Sequence, residues 1–159
     1  MLRKLMVGVL ATVLVATGAS MAVAGGGDDG DDDGGDVIRL VDRLVSEADL
    51  DLGETGEGVG DRFVFSGDLY KGDDKVGDDG GECTIVRLVE RVAATANCVA
   101  TLRLPGGQIT VQGLVDFADE EEPITVAITG GTGRYDEADG EMTIETISDT
   151  EDRFTIRLR

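Results

Sequence analysis

The chain has 159 residues, of which 33 are acidic and 14 are basic, so its formal net charge is -19. A negative field of this size repels nucleic acid and anionic lipid, which argues against both as partners. The chain contains no histidine, which excludes imidazole catalysis and histidine metal sites. We therefore predict that the protein uses no metal and no other cofactor.

The first 24 residues have the pattern of a secretory signal peptide. Arg3 and Lys4 give a basic start, an apolar run follows from Leu5 to Ala16, and small residues precede a cleavage point after Ala24. The run is short for a membrane span, although a retained anchor is the alternative. The pattern predicts a secreted, extracellular protein that makes no membrane contact after signal cleavage.

Residues 25–36 read GGGDDGDDDGGD and contain no apolar side chain. Like charges repel one another along this acidic Gly/Asp-rich tract, and nothing in it can be buried, so it predicts a disordered linker. Its spacing fits neither a helix-loop-helix calcium loop nor a repeated nonapeptide. The folded domain is therefore predicted to occupy residues 37–159.

Short alternating segments separated by turn signals predict that this domain is all-β. The first segment, IRLVDRLV, also matches a short amphipathic helix with apolar positions at Ile38, Val41, Leu44 and Val45. The segments KGDDKVGDDGG and GGTGRYDEADG are interpreted as connections. The predicted strands are Val37 to Val45, Arg62 to Tyr70, Glu82 to Leu88, Asn97 to Leu104, Gln108 to Asp116, Ile124 to Thr129, Glu141 to Ile147 and Arg153 to Leu158.

One face of most predicted strands is apolar, as the alternation of strand side chains requires for a half-buried sheet. Eight short strands with such faces form either a closed barrel or a sandwich. The apolar face is interpreted as core, and the sequence leaves open which face lines a lumen. The expected core positions are Phe63, Phe65, Leu69, Ile109, Val111, Val115, Ile124, Val126, Ile128, Met142, Ile144, Phe154, Ile156 and Leu158.

Cys83 and Cys98 lie on consecutive predicted strands. If these strands pair around a short loop, the two cysteines fall opposite each other, close enough for a disulfide bond. An oxidising compartment favours the bond, and two free buried thiols are the alternative. A catalytic cysteine is disfavoured because no histidine could activate the thiolate.

Six short motifs in order resemble the barrel shared by allene oxide cyclases and dirigent proteins. They are Gly60-Asp61, Leu69-Tyr70, Gly72-Asp73, the Gly81 and Cys83 pair, Ile109 to Gly113, and Thr129 to Gly133. The resemblance covers about Gly60 to Leu158. It implies an eight-stranded antiparallel up-and-down β-barrel of lipocalin type, with an apolar cavity, assembled as a homotrimer.

The chain departs from both branches of that family at their functional positions. Arg39, Val41 and Gly67 stand where the plant cyclases carry a glutamate and two asparagines. The segment Asp136 to Gly140 has acids where dirigent proteins carry arginines. The plant reactions are therefore not carried over to this chain.

The resemblance implies a secreted barrel that binds an apolar small molecule in its lumen and guides its cyclisation or coupling, as an isomerase would. The alternative is a non-catalytic secreted carrier or a structural, interaction barrel. Guiding such a reaction requires a cavity that holds the ligand in one reactive conformation. It does not require a strong acid or base. The polar residues predicted to contact the ligand are Asp68, Tyr70, Arg87, Gln112 and Tyr135.

Overall fold

The computed structural model describes residues 36–53, 55–56, 58–89, 93–117 and 122–159. The predicted signal peptide and all but the last residue of the predicted linker lie outside this part of the chain. Within it, no helix is long and apolar enough to cross a membrane. The strands are β1 (Val37–Leu50), β2 (Arg62–Lys71), β3 (Asp74–Val89), β4 (Ala93–Leu104), β5 (Gly107–Asp116), β6 (Ile124–Gly133), β7 (Gly140–Ser148) and β8 (Glu151–Leu158).

The eight strands form a closed antiparallel barrel in which each strand pairs with its neighbours in the chain. β1 also pairs with β8, where Leu40 lies opposite Phe154 and Asp42 lies opposite Asp152. This closure satisfies the edge hydrogen bonds that an open sheet would expose. The predicted up-and-down barrel is confirmed, and the sandwich alternative is wrong.

The first segment is a strand rather than a helix. Leu40 and Asp42 are buried, whereas Arg39 and Arg43 on either side are exposed, which is the two-residue period of a strand. Pairing with both β2 and β8 satisfies the backbone of this segment on its two sides. Long-range pairing therefore decides between two local patterns that the sequence leaves open.

The segment KGDDKVGDDGG was predicted as a connection, and this is wrong because β3 begins at Asp74. Glycine and aspartate have low strand propensity, but close packing overrides it here. A Cβ atom on Gly81 would lie 2.5 Å from the backbone oxygen of Val99 and 2.6 Å from Cζ of Phe65. Glycine is thus required where β3 passes beneath an aromatic ring. The second predicted connection is also shorter than expected, because β6 extends to Gly133.

The interior of the barrel is apolar over most of its length. Nine of the fourteen expected core residues are buried, and Phe63, Phe65, Ile124, Ile144 and Leu158 are half-buried. The apolar face identified from alternation is therefore the interior face. The buried cluster consists of Leu40, Leu69, Leu102, Leu104, Ile109, Val111, Val115, Val126, Ile128, Tyr135, Met142, Phe154 and Ile156.

The two cysteines are directly opposite each other on β3 and β4, with Cα atoms 4.0 Å apart, and they form the predicted disulfide. Cys83 is almost fully buried. The bond joins residues 15 positions apart. In the chain-entropy description, a loop of this size stabilises the fold by about 3 kcal/mol.

Candidate functional site

Two carboxyl groups lie inside the barrel among the apolar side chains. Asp42 follows Leu40 on the interior face of β1, and Asp79 stands on the interior face of β3 opposite Leu102 of β4. Each aspartate is only 7% exposed. Acids are rarely buried to this degree without a partner, so their surroundings decide what they can do.

Gly67 of β2 brings these two carboxyl groups together. β2 runs between β1 and β3, with Gly67 opposite Leu44 on one side and Asp79 on the other. A Cβ atom on Gly67 would lie 2.7 Å from Cγ of Asp42 and 2.8 Å from Oδ1 of Asp79, and it would overlap Oδ1 of Asp42. The space that a side chain would fill at Gly67 is therefore occupied by two converging carboxyl groups.

The converging oxygen atoms have no hydrogen-bond partner. The backbone N–H groups of Arg43 and Gly67 favour the ionised forms of Asp42 and Asp79, respectively, and so oppose the rise in their pKa values. Oδ1 of Asp42 and Oδ1 of Asp79 are buried and accept no hydrogen bond. Asp61 is also buried, but its carboxylate accepts from the N–H groups of Leu52 and Gly58 at 2.9 and 2.7 Å. Asp61 thus stabilises the chain that leads into β2, whereas the other two acids retain unused acceptors.

Burial and repulsion from neighbouring carboxyl groups raise the pKa values of this pair into the neutral range. The pKa of Asp42 rises to about 7, first because the group is buried and then because Asp79 and Asp152 repel its charged form. The pKa of Asp79 rises to about 6, mainly through burial, while the Gly67 N–H opposes the change. Coupled groups of this kind share protons, so the pair holds about one proton at pH values between about 6 and 7.

No basic side chain compensates these acids from inside the barrel in the part of the chain whose burial is described. Every lysine and arginine there is exposed. Several of them pair with outer-face acids instead, such as Lys75 with Asp68 at 2.6 Å and Arg103 with Asp78 at 2.8 Å. In the described interior, the charge of the ionised pair is therefore uncompensated, and a proton or a cationic group would neutralise it.

The carboxyl pair separates a closed apolar end of the barrel from a half-buried aromatic end. Along β2, the interior residues Phe63 and Phe65 precede Gly67, and the fully buried Leu69 follows it. The rings of Phe63 and Phe117 meet edge to face, with centroids 5.5 Å apart. These aromatic side chains are only half-buried, so this end of the barrel interior is more exposed than the end that holds Leu69.

The five residues predicted from sequence to contact a ligand are not gathered around one site. Asp68 pairs with Lys75 on the outer face, Arg87 is exposed, and Gln112 donates from Nε2 to Asn97 at 3.3 Å. The ring of Tyr70 lies 4.2 Å from the guanidinium of Arg43, again on the outer face. Tyr135 alone among them belongs to the buried interior cluster. Their role in ligand binding stays a prediction.

A groove of about 450 Å³ lies on the outer surface, and Gln112 contributes to it. Its walls include Val64, Glu82, Thr101 and Thr129, whose side chains point away from the barrel interior. The groove is broad and open to solvent. It is separate from the carboxyl pair, which faces the opposite side of the sheet.

The interior position of one of the two buried acids can be predicted from the sequence. Asp42 continues the two-residue period of Ile38, Leu40 and Leu44, so a strand at this point places a carboxyl group on the apolar face. The interior position of Asp79 cannot be predicted in this way, because Asp79 lies in a glycine- and aspartate-rich segment without apolar alternation. Arg39 and Val41, which the resemblance matched with polar family positions, lie on the outer face of β1.

Comparison with known proteins agrees with the fold. The family model described as "Allene oxide cyclase barrel like domain" matches residues 41–158. The solved structure "Pyocyanin demethylase" is 30% identical with a TM-score of 0.70, covering 77% of this chain and 99% of that one. No curated protein sequence matches the chain.

Two Diels-Alderase structures share the fold at lower identity. The Diels Alderase AbmU from Streptomyces koyangensis is 18% identical with a TM-score of 0.66, covering 77% of this chain and 63% of that one. The exo-specific intermolecular Diels-Alderase AbnU is 19% identical with a TM-score of 0.56, covering 78% of this chain and 98% of that one. The chain therefore spans less than two thirds of AbmU.

Proposed function

Because the chain belongs to the allene oxide cyclase barrel-like family, we propose that it binds an apolar small molecule inside the barrel and guides its isomerisation or cyclisation. The Asp42 and Asp79 pair moves the proton that such a rearrangement needs. The half-buried aromatic end of the barrel admits the molecule, and the apolar walls hold it against the two carboxyl groups.

The observation that carries this proposal is the pair of buried, unpartnered Oδ1 atoms converging over Gly67. A buried acceptor without a partner costs free energy in a protein that has no use for it. Groups of this kind concentrate at functional sites, where burial and like charges adjust the pKa to the reaction. An acid whose pKa is about 7 can both give and take a proton at neutral pH.

The proposed chemistry needs no oxidant or reductant. The protonated carboxyl group, Asp42 by its higher pKa, donates a proton to an oxygen or nitrogen acceptor on the substrate. Asp79 accepts a proton that the substrate releases from carbon or from a hydroxyl group. The pair ends with the one proton that it held at the start, so the reaction rearranges bonds without changing oxidation state. General acid-base assistance of this sort contributes roughly 10²–10⁴-fold to rate.

The related structures support a small-molecule role in different degrees. Two of them are Diels-Alderases, which join carbon frameworks, and their low identity to this chain supports the fold alone. The demethylase is more similar and is covered over almost its full length. Its name says that it acts on a small organic molecule, which supports a small-molecule substrate for this chain.

We also propose that the protein acts after export from the cell. The amino-terminal pattern favours a signal peptide, and the Cys83–Cys98 disulfide is consistent with an oxidising compartment. An extracellular site suits a small, disulfide-bonded barrel whose substrate diffuses in from the surroundings.

The proposal can be tested in D₂O with a panel of enolisable polycyclic ketones and polyene epoxides, with products followed by mass spectrometry. Binding of the neutral dye Nile red would be measured in parallel. The wild type is expected to bind the dye and to isomerise or deuterate at least one panel compound. Asp42→Asn should reduce that rate by about 100-fold or more. The control Asp73→Asn changes an exposed turn residue between β2 and β3 and should leave the rate unchanged.

Two outcomes would overturn the proposal. Saturable dye binding without turnover of any compound would favour the carrier alternative, because the barrel would then hold ligands without acting on them. Equal rates in Asp42→Asn and the wild type would show that the carboxyl pair does not move the proton.

A further inference from the structure

We infer that the interior site selects a planar ligand that bears a basic nitrogen or a permanent positive charge, and that it rejects carboxylate-bearing ligands of the same shape. This inference rests on the proposed function in one respect, since it requires that ligands enter the barrel interior. It goes further by naming the charge class of the substrate.

The first reason is the charge that faces the site from each adjacent strand. Asp42 comes from β1, Asp79 from β3 and Asp152 from β8, and all three influence one another electrostatically. Asp68 and Asp78 act on the pair from the outer face, where Lys75 and Arg103 respectively pair with them. Carboxyl groups stand on three sides of the site. In the part of the chain whose burial is described, every basic side chain is exposed.

The second reason is that the two central carboxyl groups point their unused acceptors at one place. Asp42 and Asp79 are each more than nine-tenths buried, and their unpartnered Oδ1 atoms both lie within 2.8 Å of the point that a Gly67 Cβ atom would occupy. An N–H⁺ group can donate to this pair and neutralise it at once. Hydrogen bonds between charged partners in a buried site are about twice as strong as those between neutral groups.

The third reason is the aromatic lining between the acids and solvent. Phe65 lies one interior position from Gly67, and Phe63 and Phe117 stand farther toward the open end. Ring faces attract a cation through their quadrupole and stack on a planar ligand. A flat, delocalised cation gains from both the rings and the carboxyl groups, whereas a saturated ammonium ion gains mainly from the carboxyl groups.

An anionic ligand would meet the opposite situation. Its carboxylate would approach at least two groups of like charge, and no arginine or lysine in the described interior is available to pair with it. The interior is thus poorly suited to a free fatty-acid derivative bound with its carboxylate inward.

Cation binding is linked to the protonation of the pair. A permanent cation stabilises the ionised carboxyl groups, so it lowers their pKa values and displaces the shared proton. Its affinity therefore rises as pH increases through the range of about 6 to 7 in which the free pair loses protons. A neutral ligand without a nitrogen lacks this dependence.

Four three-ring probes of nearly equal shape separate these cases: N-methylacridinium, acridine, anthracene and anthracene-9-carboxylate. Their dissociation constants would be measured by fluorescence at about 0.5 M NaCl, where attraction to the outer surface is screened. At pH about 8, N-methylacridinium is expected to bind about tenfold or more tightly than anthracene, and the carboxylate more weakly than anthracene. At pH about 5 the advantage of the cation should fall by about tenfold.

Variants show whether the preference comes from the interior pair. Asp42→Asn and Asp79→Asn should each lose most of the preference for the cation, while Asp73→Asn, which removes the same net charge from an exposed turn, should retain it. Asparagine has nearly the shape of aspartate, and circular dichroism would confirm that each variant remains a β-barrel.

The possible outcomes distinguish this inference from the proposed function. If all four probes bind with equal affinity, the charge preference is wrong and interior binding stands. If the preference persists in both Asp42→Asn and Asp79→Asn, it comes from the overall charge, and the inference is again wrong. If no probe binds with a stoichiometry near one per chain, both the inference and the proposed function fail.

Discussion

Replacing Asp42 by asparagine is expected to stabilise the barrel at high pH and to leave its stability almost unchanged at low pH. In the unfolded chain this carboxyl group ionises near pH 3.8, whereas in the fold its pKa is about 7. Below pH about 4 both states are protonated, so burial has no electrostatic cost. As pH rises from about 4 to about 7, the folded state retains a proton that the unfolded state has lost, and stability falls.

The size of the effect follows from the two pKa values. Each pKa unit corresponds to about 1.4 kcal/mol, so the difference between 3.8 and about 7 corresponds to about 4 kcal/mol above pH 7. Part of this cost reflects repulsion from Asp79 and Asp152 and is shared with them. We therefore expect Asp42→Asn to raise the free energy of unfolding by about 2–4 kcal/mol at pH 8.

Urea denaturation followed by circular dichroism at pH 4 and pH 8 would measure this difference for the wild type, Asp42→Asn and Asp73→Asn. The exposed Asp73 control corrects for the loss of one negative charge from a chain of net charge -19. Stabilisation by Asp42→Asn at pH 8 alone would support the reasoning. A variant that is less stable than the wild type at pH 8, or equally shifted at both pH values, would refute it.

Four further predictions concern the fold and its assembly. Gly67→Ala should lower the free energy of unfolding by about 1–3 kcal/mol, because its Cβ atom would overlap the carboxyl pair. Gly80→Ala, whose Cβ atom would meet its nearest neighbour at 3.5 Å, should cost less, and urea denaturation would compare the two variants. Reducing the Cys83–Cys98 disulfide should cost about 3 kcal/mol in the same assay, and an unchanged midpoint would contradict this. Intact-mass analysis of secreted protein should show a chain that begins at Gly25, and full-length chain in the membrane fraction would count against export. The trimer implied by family resemblance should appear in light scattering at high salt, and a clean monomer there would remove it.

The fold could be predicted because its signals are local. Alternating apolar residues marked at least part of each of the eight strands, and small turn residues marked most of the breaks between them. Pro105 and Gly106 connect β4 to β5, and Gly106 has the positive φ of 98° that a glycine accepts in such a turn. The first half of β3 was wrongly predicted as a connection because a strand rich in glycine and aspartate has no apolar period to detect.

The site could not be predicted in the same way because it depends on register across the closed barrel. Asp42 and Asp79 are 37 positions apart in the sequence and meet only because Gly67 stands between them on β2. Asp152 joins them through the pairing of β1 with β8, which forms only when the barrel closes. Neither contact can be recognised from a local sequence pattern. Polar residues on the outer face were therefore equally suitable candidates for ligand binding.

Gly67 is one of the positions at which this chain differs from the plant cyclases, and it is also the residue over which the proposed carboxyl pair converges. The resemblance matched this glycine with an asparagine, and the loss of that amide removes a polar group from the interior of β2. In this structure, the volume that a side chain at Gly67 would occupy is filled by carboxyl groups from β1 and β3. Restoring asparagine at this position would collide with both acids, so the glycine and the acid pair depend on each other. A barrel with a neutral amide at this point can tolerate an acidic ligand, whereas one with two converging carboxyl groups favours a proton or a cation.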